Sequence, residues 1–178
     1  MHKVLLWLLI PSVFIGLVYG YLFYQNKQKM ASIHSFKDCQ NAGFPILESY
    51  PPQCMTSDKR VFTEDIGNAL EYRDEIIVDS PTPGQLLMNG EHIRGRARGN
   101  WFFEGSFSGE IVDANGKHLG TVIITAPGNW MTSEFVRFIG DVLFSTPSTP
   151  TGKLKLHNAN PSGLPENEKV LVIPVNFY

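Results

Sequence analysis

The chain has 178 residues, 17 acidic and 15 basic side chains, a formal charge of -2 and a pI near 6.2. A balance of this kind lacks the basic excess of nucleic-acid binders, so nucleic acid is excluded as an expected partner. With 43% apolar residues the chain can bury one good core, and 16 glycines and 12 prolines spread along it suit short strands separated by turns.

The first element is apolar. Between Lys3 and Lys27 there is no charge, and Val4 to Tyr24 is long enough, at about 1.5 Å per residue, to cross a hydrocarbon layer of roughly 30 Å. Trp7 near its start and Tyr19, Tyr21 and Tyr24 near its end suit the headgroup level. The expectation is a membrane anchor over residues 1–29, in contact with the cytoplasmic membrane through residues 4–24. A signal peptide cut after Gly20, releasing a secreted chain, is the competing reading, disfavoured because the apolar run continues past that point. Either reading places the C-terminal part outside the cytoplasm. Lys3 is balanced by Lys27 and Lys29, so orientation rests on the short N-terminal flank and on the cysteines.

Cys39 and Cys54 are the only thiols. In an oxidising compartment they are expected to close one disulfide, worth about 3 kcal/mol for a loop of this length in the chain-entropy model. A redox pair would sit two residues apart, and a zinc site would need more ligands than His34 adds. Ala42 to Pro52 then form a proline-restricted loop with apolar side chains against the bridge. Ser57 to Arg60 form a turn, and Val61 to Thr63 a short strand. Residues 30–70 are thus a stapled segment with its linker.

From Glu75 onward apolar residues recur with period two, which predicts strands with one buried face. Ile76 and Val78 open the series and Ser80 to Gly84 break it. Ile93, Gly95 and Ala97 follow, then Phe103, Gly105, Phe107, Gly109 and Ile111, and a hairpin turn at Asn115 and Gly116. Leu119 to Ala126 is the partner strand. Val136, Phe138, Gly140, Val142 and Phe144 make the next apolar face, then Leu154 and Leu156. Leu171, Ile173, Val175 and Phe177 close the chain, with Pro174 marking an edge or a bulge. Seven strands over residues 75–178 predict an all-β, two-sheet sandwich.

Three separated stretches are specific: Asn100-Trp101-Phe102-Phe103-Glu104, Gly128-Asn129-Trp130-Met131-Thr132, and Asn160 to Pro165 before Ile173-Pro174-Val175. In their order and spacing, residues 76–178 resemble the second GerM-associated domain. This immunoglobulin-like domain is found beside the GerM domain in bacterial spore-germination and envelope proteins. The resemblance implies an extracytoplasmic β-sandwich that mediates interactions rather than catalysis. No GerM domain accompanies it in this sequence. Residues 36–64 resemble a short two-cysteine motif of small exported bacterial proteins.

Arg94, Arg96 and Arg98 recur at every second residue, so an extended strand points all three from one face as a basic stripe about 13 Å long. An anionic wall polymer or an acidic envelope protein could dock there; the alternative is a solvated face paired with Glu104 and Glu110. Trp101 and Trp130 could stack on a ligand but are expected mainly as core anchors, and Glu104 is expected to pair with an arginine of a neighbouring strand. These six, Arg94, Arg96, Arg98, Trp101, Glu104 and Trp130, make the candidate binding surface.

Asp113, Asn115 and Gly116 lack the later glutamate of a calcium loop, and His92, His118 and His157 have no nucleophile at motif spacing. No catalytic residue, metal site or cofactor is expected. The function expected is therefore a non-enzymatic, membrane-anchored binding or scaffolding module of the bacterial envelope. The alternatives are a peptidase inhibitor acting through the loop 44–53 and a cell-wall hydrolase.

Overall fold

The computed structural model describes the backbone of residues 2–178 and the side chains of residues 16–178. The chain divides into two compact units, Met1–Glu64 and Asp65–Tyr178.

The first unit holds helix α1 (His2–Ala31), helix α2 (Phe36–Asn41) and a small antiparallel sheet of β1 (Ile46–Leu47), β2 (Gln53–Met55) and β3 (Val61–Thr63), in that order. Cys39 and Cys54 form the expected disulfide, with Cα atoms 6.0 Å apart and no exposed surface. Ile33, Phe36, Ala42, Phe44 and Phe62 pack around the bridge. Helix α2 was not expected, yet its cap is local: Ser35 Oγ accepts the Asp38 N–H at 3.0 Å, and Asp38 Oδ2 accepts the His34 N–H at 3.2 Å. Arg60 fixes the end of α1, donating from Nη2 to the Met30 carbonyl at 2.7 Å and from Nη1 to the Ile33 carbonyl at 3.0 Å. The Met30 carbonyl, in the last turn of α1, also accepts the Ile33 N–H at 3.3 Å, and a guanidinium there complements the helix dipole.

Of the apolar run Val4–Tyr24, residues 4–15 lie outside those whose side chains are described. Among the described residues no helix is long and apolar enough to cross a membrane.

The second unit is all-β. Its strands are β4 (Ile76–Ser80), β5 (His92–Arg98), β6 (Ser106–Asp113), β7 (His118–Thr125), β8 (Phe135–Asp141), β9 (Thr151–His157) and β10 (Val170–Asn176). They run in the order β10-β9-β6-β7-β8-β5-β4, every pairing antiparallel. Two sheets were expected; the strands instead form one continuous ladder. Its junction is slight, because β7 and β8 pair only at Ile124 with Gly140 and at Thr125 with Ile139. There the ladder turns over on itself, and β4-β5-β8 faces β7-β6-β9-β10.

The inward residues of both halves share one core. Phe107 of β6 and Phe138 of β8 meet edge to face at 5.3 Å, and Ile93, Ile111, Ile124, Leu154, Leu156 and Leu171 are buried beside them. Glycine at 95, 109 and 140 lets the layers close: a Cβ on Gly95 would run into the Ile77 carbonyl and the Phe138 ring.

The outer side of β10 is covered. Asn68 donates from Nδ2 to the Val170 carbonyl at 2.9 Å and accepts the Val172 N–H at 2.7 Å, imitating a neighbouring strand. Gly84 donates to the Pro174 carbonyl at 2.9 Å, and Gln85 and Leu87 exchange backbone bonds with Asn176. Pro174, which has no N–H to leave unpaired, therefore sits at an edge as the sequence implied. A sheet edge sealed in this way offers no template to another chain.

Candidate binding surface

The six candidate residues fall in three places. β5 alternates as its sequence requires: Ile93, Gly95 and Ala97 are buried, Arg94 and Arg96 are exposed and Arg98 is partly so. The stripe is real, but its third member is committed. Arg98 donates from Nε to the Asp74 carbonyl at 2.6 Å and from Nη1 to the Ser133 carbonyl at 2.8 Å, and its guanidinium lies 4.6 Å from the centre of the Phe135 ring. That end of the stripe is structural.

Trp101 has no exposed surface, so it presents no ring face to a ligand and leaves the candidate surface. It lies edge to face with Tyr72 and Phe107, at 5.8 and 5.9 Å. Its neighbourhood also corrects the strand pattern. Phe103 and Ser106 exchange backbone bonds around Glu104 and Gly105, both at positive φ, which makes a tight two-residue turn. The alternation therefore starts after this turn, and Phe103 is exposed rather than inward. Glu104 sits on the turn, exposed, and pairs with no arginine among the described residues. Trp130 is half-buried against the core with its indole over Gly105.

Glu110 does not answer the arginine stripe either. It points from the outer face of the other half, where Lys155 Nζ donates to its Oε1 at 2.7 Å and His157 Nε2 lies 3.6 Å away. The Lys155 hydrogen bond holds the Glu110 carboxyl below the usual glutamate range.

What the stripe does have beside it is another arginine. β5 pairs along its whole length with β8, and the register sets Arg137 directly opposite Arg96 and Ile139 opposite Arg94. Arg137 is exposed like its neighbour. Among the described residues neither Arg94 nor Arg137 has an acceptor or a carboxylate in reach, and Arg96 has only Asp79, at 3.8 Å. Asp141, at the end of the same face, is taken by His92 Nδ1 at 2.7 Å. Sequence reasoning missed Arg137 because cross-strand neighbours follow from register, which periodicity within one strand does not give.

The hairpin at Asn115 and Gly116 forms as expected, but its aspartate is more than a turn residue. Asp113 is only 2% exposed. Its Oδ1 accepts the Asn115 and Lys117 N–H groups, each at 3.0 Å, while Oδ2 accepts the Ser148 hydroxyl and, at 3.3 Å, the Ser148 N–H. The Ser148 hydroxyl foremost, with these backbone donors, holds the carboxyl below the ordinary aspartate range. No lone pair is left over for a metal, and the group is a structural clasp.

Seven strands folded over one aromatic core, with every named element of residues 75–178 a strand or a single 3-10 turn, define an immunoglobulin-like module. The model of the family described as the immunoglobulin-like domain of bacterial spore germination matches residues 75–163, half of the chain, and the chain belongs to that family. The match stops short of β10, which pairs with β9 along seven residue pairs and completes the same core. No curated protein and no solved structure matches the chain.

Proposed function

We propose that the chain is a non-enzymatic binding or scaffolding module of the bacterial cell envelope, held at the outer surface of the cytoplasmic membrane by its N-terminal helix. The observation that carries the anchoring is the surface of α1. Leu17, Tyr19, Leu22 and Phe23 point to different sides of the helix, and each is more than half exposed. A helix apolar all round needs an apolar surrounding on every side, which the chain itself does not provide for these residues. Together with the uncharged run Val4–Tyr24 this favours lipid as the surrounding. The disulfide supports an oxidising compartment for the rest of the chain.

The binding role is supported by family membership and by the exposed β5 arginines, Arg94 and Arg96, of which only Arg96 has a carboxylate within reach, Asp79 at 3.8 Å. The test is crosslinking in intact cells followed by identification of what is joined to the chain. An envelope partner recovered with the wild type and reduced when Arg94 and Arg96 are reversed to glutamate supports the reading. Recovery of background alone removes the interaction role.

A further inference from the structure

Arg94, Arg96 and Arg137 form a small cluster of guanidiniums on an exposed sheet face. Along β5, side chains two residues apart are spaced by about 7 Å; across to β8 the strands are about 5 Å apart. The arrangement works against the fold, since like charges directly opposite in an antiparallel pair destabilise it. Their carboxylate neighbours are few: Asp79 approaches Arg96 only distantly, and Asp141 is engaged by His92. A cluster of three guanidiniums with one carboxylate at its edge, on a chain of net charge -2, is a local, not a general, positive surface.

We infer that the outward face of β5 and β8, through Arg94, Arg96 and Arg137, binds a linear phosphodiester polymer of the envelope; the assignment rests on the extracytoplasmic reading above. The chemistry matches, because a guanidinium presents paired donors to the oxygens of a phosphate. A polymer fits better than a single anion. The three arginines are solvent-exposed, so each contact is weak by itself, and useful affinity needs several phosphates carried on one chain. A polymer also fits better than an acidic protein. The β10 edge is sealed to an added peptide strand by Asn68 and Gly84–Leu87. The arginines do have apolar neighbours on this face, Ile139 opposite Arg94 and Ile77 opposite Arg96, but these are two separate side chains rather than the broad apolar centre of a stable protein interface.

The test uses the purified full chain in detergent micelles and labelled long-chain inorganic polyphosphate as the probe, with inorganic phosphate and polyglutamate alongside. Fluorescence anisotropy is read across a salt series. The wild type is expected to bind polyphosphate, to ignore inorganic phosphate at matched phosphorus, and to bind polyglutamate more weakly. The triple variant Arg94→Gln, Arg96→Gln, Arg137→Gln should lose about tenfold or more in affinity. Its dependence of log K on log salt should flatten by about 2, from roughly 0.7 per phosphate contact on a flexible strand. A second variant, Lys37→Gln, Lys117→Gln, Lys153→Gln, makes the same charge change at exposed positions elsewhere and should keep most of the affinity. Equal loss in the two variants, or polyglutamate bound as tightly as polyphosphate through the same arginines, overturns the inference. Unfolding of the arginine variant is checked by its urea midpoint, which should hold or rise. These measurements on purified protein do not depend on cellular location, so a failure here is distinct from a failure of the anchoring.

Discussion

The indole N–H of Trp101 donates to Glu75 Oε2 at 3.2 Å, and the same oxygen accepts the ammonium of Lys169 at 2.5 Å. Glu75 stands just before β4 and Lys169 just before β10, so one carboxylate ties the starts of two strands on opposite halves to the centre of the core. Removing it would leave a fully buried donor without a partner. Glu75→Ala is therefore expected to destabilise the second unit by about 1–3 kcal/mol, with Glu75→Gln, which keeps an acceptor, losing less. Urea unfolding followed by tryptophan fluorescence measures both. Equal losses in the two variants would locate the effect in the Lys169 charge instead.

The opposed arginines predict the reverse sign. Arg137→Gln removes the like charge facing Arg96, and the fold should gain roughly 0.2–1 kcal/mol. A gain in midpoint together with a loss of polyphosphate binding is the pattern of residues kept for recognition at a cost in stability.

Removing the bridge should soften the first unit. Replacing Cys39 and Cys54 by serine frees a loop spanning 15 positions and is expected to cost about 3 kcal/mol there. Hydrogen exchange of amides between Ile33 and Thr63 reads this locally, and protection in that range should collapse first.

Asp113 sets an acid limit on the β6–β7 hairpin. Its carboxyl titrates below the ordinary aspartate value of about 3.9 because the folded chain surrounds its charged form with donors, the Ser148 hydroxyl first. A group whose folded pKa is depressed contributes stability that is complete above the unfolded value and is lost as the pH falls through the folded one. The midpoint should therefore be insensitive to this group at neutral pH and decline with it below about pH 4. Glu110 behaves alike on the neighbouring face, so the comparison is with Asp113→Asn, which should start lower at neutral pH and show a shallower acid decline.

The strands were legible because one buried face imposes period two, and Phe107, Gly109 and Ile111 or Leu154 and Leu156 show it without help. What stayed hidden depends on contacts between distant segments. Phe103 read as inward since nothing nearby reveals that Glu104 takes a positive φ and turns the chain before the strand begins. Asn68 lies in a segment with no strand pattern, yet it seals a strand 104 residues away. Asp113 read as a turn aspartate because Ser148, its closest partner, is 35 residues further on. Arg137 is set against Arg96 only by the β5–β8 register, which the alternation within its own strand does not contain. The disulfide, by contrast, was readable from two thiols alone.

Protease accessibility on wall-stripped intact cells distinguishes a sandwich held outside the cell at the membrane from one inside it. For the sandwich outside the cell, added protease is expected to destroy the Asp65–Tyr178 unit while a cytoplasmic marker survives, and the undigested chain to sediment with membranes after a carbonate wash. A chain protected until the cells are lysed, or one recovered free in the soluble fraction, would contradict it.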